Sequence, residues 1–353
     1  MQYQIVYSVL LGGGASALKI SIIIVNWDGK YLLKKCMPSV VKTALATKET
    51  HEIIVVDNGS TDGSVEFLES NYPNVKIVRM ERNMGFTKAS NAGARAARGD
   101  ILIFLNNDIM LKSDSLEKMI SHFSDKRVFG VSPKLLKWDK KTIQAEFLGC
   151  DFVLGTVVQT QPNMNEPDRN EFKEPMTTFF ALGGASAIDR RKFFQLEGFD
   201  EVYSPFYWEE VDLSYRAYKR GWVCIYEPRA VFYHKHRATL SKNFSTETLQ
   251  LQELKARFIF TWSNFFDPLI LLAHFAFLPL VFLRSAFKTS YRSRRFLDVI
   301  AFFQAAGEWR RILQKRIEEK KNAKLSDREA LKIINNNKAN ELAPVRIWKF
   351  LGK

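Results

Sequence analysis

The chain has 353 residues, of which 46% are hydrophobic and 25% charged. That is ordinary for a globular protein with a sizeable core and sets aside a low-complexity or unfolded chain. The net charge of +14 is uneven: Arg284 to Lys353 hold 18 Lys or Arg against 7 Asp or Glu. A near-neutral body thus carries a basic tail suited to an anionic membrane surface or to nucleic acid. The three cysteines, Cys36, Cys150 and Cys224, are odd in number and far apart. They form no zinc-type spacing and suit a reducing cytoplasm.

Ile5 to Leu18 is apolar and Gly-rich, and Ala15-Ser16-Ala17 resembles a signal-cleavage site, but no Lys or Arg precedes it. Residues 1–18 are therefore read as a short extension of little structural consequence. From Lys19 the pattern alternates. Ile20 to Val25 is a run rich in β-branched residues and predicts a buried strand; a helix is expected over Leu32 to Leu45. Glu52 to Val56 predicts the second strand, ending in the polar turn Asp57-Asn58-Gly59-Ser60-Thr61-Asp62-Gly63-Ser64 that opens a helix from Val65 to Ser70. Val75 to Val78 is the third strand. Arg82-Asn83-Met84-Gly85-Phe86 opens an Ala-rich helix through Arg98, and Ile101 to Leu105 is the fourth strand. This order predicts an α/β fold, a mostly parallel sheet with helices on both faces. Ligands of such sheets bind beyond the carboxyl ends of the strands. Those ends are Asn26-Trp27-Asp28, Asp57-Asn58, Arg82-Asn83 and Asn106-Asn107-Asp108, and all are polar.

Past Phe123 the pattern loosens, and Gln159 to Pro175 reads as a mobile loop. Structure is expected to resume over Phe179 to Ile188, with a helix from Arg190. Glu209 to Arg216 has helical spacing, and Trp222 to Tyr226 and Val231 to Tyr233 read as two short strands. Phe265 to Leu283 is apolar but broken by Asp267, Pro268, His274 and Pro279, and Lys288, Arg292, Arg294 and Arg295 follow at once. A spanning helix needs about 20 apolar residues. The basic flank favours an interfacial segment on an anionic leaflet over a pair of core helices, and spanning against lying on the membrane stays open.

In order, these motifs resemble those of family 2 glycosyltransferases with the GT-A fold. Asp57 to Gly63 looks like the family's nucleotide-binding turn. Asn83-Met84-Gly85-Phe86, with Asn91 and Gly93, resembles its second element. Asn106-Asn107-Asp108 stands where the family has an Asp-x-Asp metal motif. Gly183-Gly184-Ala185, Gly198 to Glu201 and Trp208-Glu209-Glu210-Val211-Asp212-Leu213 resemble its acceptor-side elements, and His234 follows a strand where the family often has a metal-binding His. The resemblance covers about Lys19 to Leu240, and the nearest subgroup looks like the bacterial rhamnosyltransferases of cell-surface polysaccharide synthesis.

The resemblance implies an inverting, metal-dependent enzyme. A divalent cation, Mg²⁺ or Mn²⁺, would bridge the donor diphosphate and absorb the leaving charge, with Asp108 and His234 as its ligands. Asn106 replaces the family's first Asp, so the diphosphate would supply much of the coordination. Asp57 would accept the N3–H of uracil or thymine, or begin an Asx-turn, and the two roles are compatible. Asn26, Trp27, Asn58, Asn83, Gly85, Asn106 and Asn107 complete the donor side, and Lys88 or Arg82 could approach phosphate. Gly184, Trp208 and Asp212 are assigned to the acceptor side. The base would be Glu210 or Glu209, since neighbouring carboxylates push their pKa values apart.

The expected organisation is an N-terminal extension (1–18), a nucleotide-sugar half (19–130), an acceptor half with the base (131–245) and a helical basic region at the membrane interface (246–353). The donor would be a dTDP- or UDP-sugar, dTDP-rhamnose first, and the acceptor a saccharide linked to polyisoprenyl diphosphate. The enzyme would sit on the cytoplasmic face of the cell membrane, with no nucleic-acid partner. A nicotinamide oxidoreductase would need G-x-G-x-x-G between strand and helix, but Gly12-Gly13-Gly14 precedes the first strand. A nucleic-acid-binding protein using the basic tail is the alternative.

Overall fold

A computed structural model describes residues 18–145, 148–153, 155–160, 172–235, 244–287 and 296–335. The extension up to residue 17, the centre of the expected 159–175 loop, and Lys288, Arg292, Arg294 and Arg295 lie outside the described residues. Strands β1 (Lys19–Asn26), β2 (Thr50–Asp57), β3 (Lys76–Arg79) and β4 (Ile101–Asn106) alternate with helices α1 (Lys30–Ala46), α2 (Ser64–Asn71) and α3 (Phe86–Ala96). β1 pairs in parallel with both β2 and β4, setting Asn26 opposite Asp57 and Val25 opposite Asn106. The polar residues that end these strands therefore arrive at one edge of the sheet.

The chain continues through β5 (Ile109–Leu111), α4 (Ser115–Ile120), β6 (Val128–Lys137), β7 (Ile143–Ala145), β8 (Gly149–Val153), β9 (Thr156–Thr160), β10 (Met176–Thr177), β11 (Ala185–Asp189), α5 (Arg190–Gln195), α6 (Glu209–Lys219) and β12 (Val223–His234). Five helices follow: α7 (Thr246–Asn264), α8 (Pro268–Phe287), α9 (Leu297–Ala306), α10 (Trp309–Asn322) and α11 (Asp327–Asn335). The main sheet runs β10-β12-β6-β11-β4-β1-β2-β3, with β5 on β12 and β7 on β6. It is largely parallel, as expected, but β11 lies antiparallel between β4 and β6.

Alternation along the strands divides the core between the two faces. Ile22 and Ile24 of β1 face Leu33 and Met37 of α1 and Leu116 of α4, while Ile23 joins Phe104, Phe193, Phe199 and residues of α6 to α11. The C-terminal helices thus share the core beneath the sheet. The ring of Phe104 lies 5.5 Å from Phe193 and 5.2 Å from Phe199.

β6 crosses between residues 130 and 131, so the two expected halves share one sheet. Two expectations change. The two short strands near residues 222–233 are one strand with an irregularity between Glu227 and Val231. There the fully buried Glu227 carboxylate is held by Arg229 and by His122 at 2.8 Å, which satisfies a charge that would otherwise argue against a strand interior. The Pro268 break begins α8 instead of interrupting it, a position where the missing N–H is harmless. Among the described residues, no helix is long and apolar enough to cross a membrane.

Phe104→Ala should lower the unfolding free energy by about 3–5 kcal/mol, measured by urea titration, with near-native far-ultraviolet circular dichroism retained in the absence of urea.

Candidate active site

A cavity of about 360 Å³ opens at the carboxyl ends of β1, β2 and β4. Its donor-side wall contains Val25, Trp27, Asn58, Asn83, Gly85, Asn106, Asn107, Asp108 and His234. Gly183, Gly184, Glu209 and Glu210 line it from the other half of the sheet. Residues far apart in the chain meet here because parallel register stacks the strand ends.

The loop after β2 is locked to the loop after β3. Asn58 Nδ2 donates to Asn83 Oδ1 at 2.9 Å, and Asn58 Oδ1 accepts from the Met84 N–H at 2.9 Å. A Cβ on Gly59, where φ is +79°, would lie 2.6 Å from Arg82 Cα, so the crossing requires glycine. Asp57 divides its carboxylate: Oδ2 accepts the Ser60 N–H at 3.2 Å, while Oδ1 is buried without a hydrogen-bond partner. The Asx-turn is therefore present, and one acceptor oxygen is left over.

Asn26 departs from expectation. It is fully buried and does not line the cavity. Its Oδ1 accepts from Asn107 Nδ2 at 2.8 Å and its Nδ2 donates to Ser60 Oγ at 3.2 Å. It ties the ends of β2 and β4 together because the register leaves its side chain between them. Arg82 and Lys88 are also absent from the wall, and Lys88 turns to Glu201 at 3.5 Å.

Asn106 donates its N–H to the Gly184 carbonyl at 2.8 Å, and a Cβ on Gly184 would fall 2.2 Å from Asn106 Oδ1. Glycine at 184 thus fixes where the Asn106 amide sits. Asp108 is buried, with Oδ1 3.2 Å from His234 Nε2. That contact lacks hydrogen-bond geometry, so Oδ1 has an unfilled acceptor site. The antiparallel pairing of β5 with β12 puts Ile109 opposite His234 and so brings Asp108 beside it. Gln144 Nε2 lies 2.8 Å from His234 Nδ1. An amide can serve that ring as donor or, when flipped, as acceptor. With Oε1 presented, Nδ1 carries the proton and Nε2 is the unprotonated nitrogen, the form in which imidazole ligates a cation.

An unfilled carboxylate oxygen facing an imidazole nitrogen across 3.2 Å fits a divalent cation, which Asp108 and His234 would hold. Among the described residues there is no group of three or more His, Cys, Asp or Glu able to hold a metal, so protein alone does not complete the shell. Lys235 stands next in line, its ammonium 5.2 Å from both the Tyr31 and Trp138 rings.

Glu209 and Glu210 open α6. The backbone reaches them through Tyr207 and Trp208 at φ of 77° and 74°, a left-handed entry that costs roughly 1–3 kcal/mol per residue. Burial pushes the Glu210 carboxyl up to about 7. Burial, and then the Glu210 charge, push Glu209 well above the carboxylate range. Glu210 therefore ionises first. Stability gained by keeping it neutral is complete below its ordinary 4.5 and lost as pH rises through about 7.

Trp208 and Asp212 are not on the acceptor side of the cavity. Trp208 packs 5.2 Å from Phe260 in the core. Asp212 is fully buried, because two residues beyond Glu210 is about 200° round the helix. Instead, Phe86, Pro205, Phe206, Tyr207 and Phe244 form an aromatic rim. Of these only Phe86 belongs to a motif named from the sequence; for Pro205, Phe206 and Tyr207 the signal was "PFYW" directly before the acidic pair.

Residues 21–195 match the family described as glycosyl transferase family 2. The chain is 30% identical over 218 residues, 56% of its length and 70% of the relative's, to the N-acetylglucosaminyl-diphospho-decaprenol L-rhamnosyltransferase of Mycobacterium tuberculosis. A shorter stretch of 103 residues, 28% of this chain and 16% of the relative, is 33% identical to the poly(ribitol-phosphate) beta-glucosyltransferase of Bacillus spizizenii. Among solved structures, S. aureus TarS 1-349 in complex with UDP-GlcNAc superposes with a TM-score of 0.55 at 14% identity, covering 86% of this chain and 89% of that one. GalNAc-T7 with UDP, GalNAc and Mn²⁺ gives 0.57 at 18%, covering 84% of this chain and 57% of that one. The fold is that of a GT-A glycosyltransferase. The chain belongs to glycosyltransferase family 2, and its mycobacterial rhamnosyltransferase relative bears out the subgroup expected from the motifs.

Carbon-13 NMR of labelled glutamate should show one carboxyl of the pair ionising near neutral pH. Glu210→Gln should remove that transition and Glu209→Gln should leave it; the reverse assignment would exchange the two residues.

Proposed function

We propose that the protein is an inverting glycosyltransferase that moves a sugar, first choice rhamnose from dTDP-rhamnose and otherwise a UDP-sugar, to a saccharide linked to a polyisoprenyl diphosphate. The observation that carries this reading is the shared cavity, in which the Asp108–His234 pair and the raised Glu210 carboxyl line opposite walls of one space. The mycobacterial relative's name, which specifies both a rhamnosyl donor and a decaprenyl diphosphate acceptor, supports the choice of substrates.

Asp57 Oδ1, the buried acceptor without a partner, receives the N3–H of a uracil or thymine ring, and Trp27 and Asn58 bound the base. Asp108 and His234 hold Mg²⁺ or Mn²⁺, which when bound offsets the charge developing on the departing diphosphate. Asn106, an amide clamped by Gly184, orients the donor without adding negative charge beside two phosphates. Glu210, once ionised, removes the proton from an acceptor hydroxyl. The hydroxyl oxygen forms its bond to the anomeric carbon as the bond to the diphosphate oxygen breaks on the opposite face. The aromatic rim excludes water and faces the acceptor.

The C-terminal helices supply the membrane contact. Leu272 and Phe275 on α8, Phe303 on α9 and Trp309 and Ile317 on α10 are more than half exposed, and Arg310 and Arg311 adjoin them in the basic tail. Exposed large apolar groups beside cations suit an anionic interface. On this reading the enzyme sits peripherally, on the cytoplasmic face where a lipid-linked acceptor would be presented.

A panel of dTDP- and UDP-sugars with Mg²⁺ or Mn²⁺, read by thermal stabilisation and by release of nucleoside diphosphate, tests the reading. One donor should be turned over at a rate that rises with pH through about 7. Asp108→Ala should abolish metal stimulation, and Glu210→Gln should cut turnover about 10²–10⁴-fold with donor binding kept. Full activity in either variant would remove that residue's role. Leu272→Asp with Phe275→Asp should release the protein from phosphatidylglycerol vesicles on sedimentation; unchanged binding would remove the membrane contact from α8.

A further inference from the structure

We propose that Lys315, on α10 and outside the cavity, is a positioning residue for the Glu209–Glu210 pair. Its ammonium bridges Asp212 Oδ1 at 2.7 Å and Asp200 Oδ2 at 2.5 Å. The Asp212 carboxylate has no exposure to solvent and gathers four donors. Lys315, Tyr203 Oη (3.0 Å) and Asn264 Nδ2 (2.7 Å) reach Oδ1, and Arg216 Nε (2.8 Å) reaches Oδ2. Burial alone would raise this carboxyl, but the Lys315 and Arg216 charges overcome it and hold it down to about 2. Arg216 in turn donates to the Leu196 and Gly198 carbonyls.

Core packing of Trp208 and Val211 also holds the start of α6, but its polar anchoring is at Asp212. Trp208, at its N-cap, makes no side-chain cap bond, and the two residues before the acidic pair have left-handed backbone. A helix that begins uncapped after a strained entry frays in its first turn unless tertiary contacts fix it. Asp212 lies within that turn's span, and its contacts come from Tyr203 before the helix, Arg216 further along it, and Asn264 and Lys315 on α7 and α10. Asp212 and all four of these partners lie beyond the family-matching segment 21–195. The charges also balance: two aspartates face Arg216 and Lys315. Without Lys315 a net negative charge is left beside two glutamates, one of which must ionise.

This inference rests on Glu210 as the base, and its test separates the two. Full-length Lys315→Met is assayed with the donor that the wild type turns over. The expected result is a fall in kcat of roughly 10²-fold, with KM for that donor and the affinity for UDP with Mn²⁺, by calorimetry, unchanged. Lys315→Arg, which can fork between the two carboxylates, should restore most of kcat. The double variant Asp212→Asn with Lys315→Met removes the uncompensated buried charge, so it should fold while kcat stays low. An unchanged kcat in Lys315→Met, or a folded double variant with full kcat, would overturn the proposal. So would a loss shared equally by kcat, KM and UDP affinity, which marks a general structural role.

A second arm needs no substrate. Glu210 shares the cavity wall with Glu209, Asp108 and His234; Arg257 of α7 stacks on the adjoining Trp208 ring, and Asp212, in the same helical turn but on its far side, carries Lys315 of α10. Loss of the Lys315 cation should move the near-neutral glutamate titration upward, and an unmoved titration counts against the proposal. A wild type that turns over no nucleotide sugar removes the functional reading, and the titration still decides the case of Lys315.

Discussion

The parallel register of β1 with its two neighbours is the constraint on which the site depends. It brings Asn26, Asp57 and Asn106 to one edge, and the loops leaving that edge supply Trp27, Asn58, Asn107 and Asp108 to the cavity wall. β-branched side chains, buried on both faces, specify that register, because a one-residue slip would exchange the two cores. The amide chain from Asn107 through Asn26 to Ser60 then stitches adjacent strand ends together. Polar residues that in an exposed turn would be bonded to water instead form a rigid rim.

The second half of the site depends on a different principle. β11 enters antiparallel directly after Gly184, so that a glycine backbone presses on Asn106. α6 presents its acidic pair from a helix packed on one side by the sheet and on the other by the C-terminal helices. Besides Lys315, Arg220 forks to Glu319, and Lys219 and Tyr215 both reach the buried Asp327. A buried ion pair adds little net stability once desolvation is counted. Several such pairs converging on one helix specify its position more than its strength.

The four alternating strands and the polar residues at their ends were legible, because hydrophobic period and turn chemistry are local properties. β6 was not: Gly130 and Pro133 break its apolar run, and its identity as a strand comes from β11 and β12 on either side. β12 looked like two pieces, since Pro228 and Arg229 mark the irregularity without showing that the chain resumes pairing. Asp108 and His234 were nameable, but their approach depends on the β5–β12 register. Asn26, Trp208 and Asp212 were placed by adjacency to functional neighbours. In a strand or helix, adjacency turns a side chain away as often as towards the same space. Lys315 was invisible, because its partners lie 103 and 115 residues away.

The convergence of α7 and α10 on α6 also limits how this architecture can be recombined. Acceptor preference in such enzymes invites exchange of the region after the sheet, with the donor half left alone. Here no cut between residues 219 and 315 leaves α6 with all of its charge partners. A chimera joined there would part Asp212 from Lys315, Lys219 from Asp327 and Arg220 from Glu319. The unit of exchange is α6 together with the distant helices that pair with its charges.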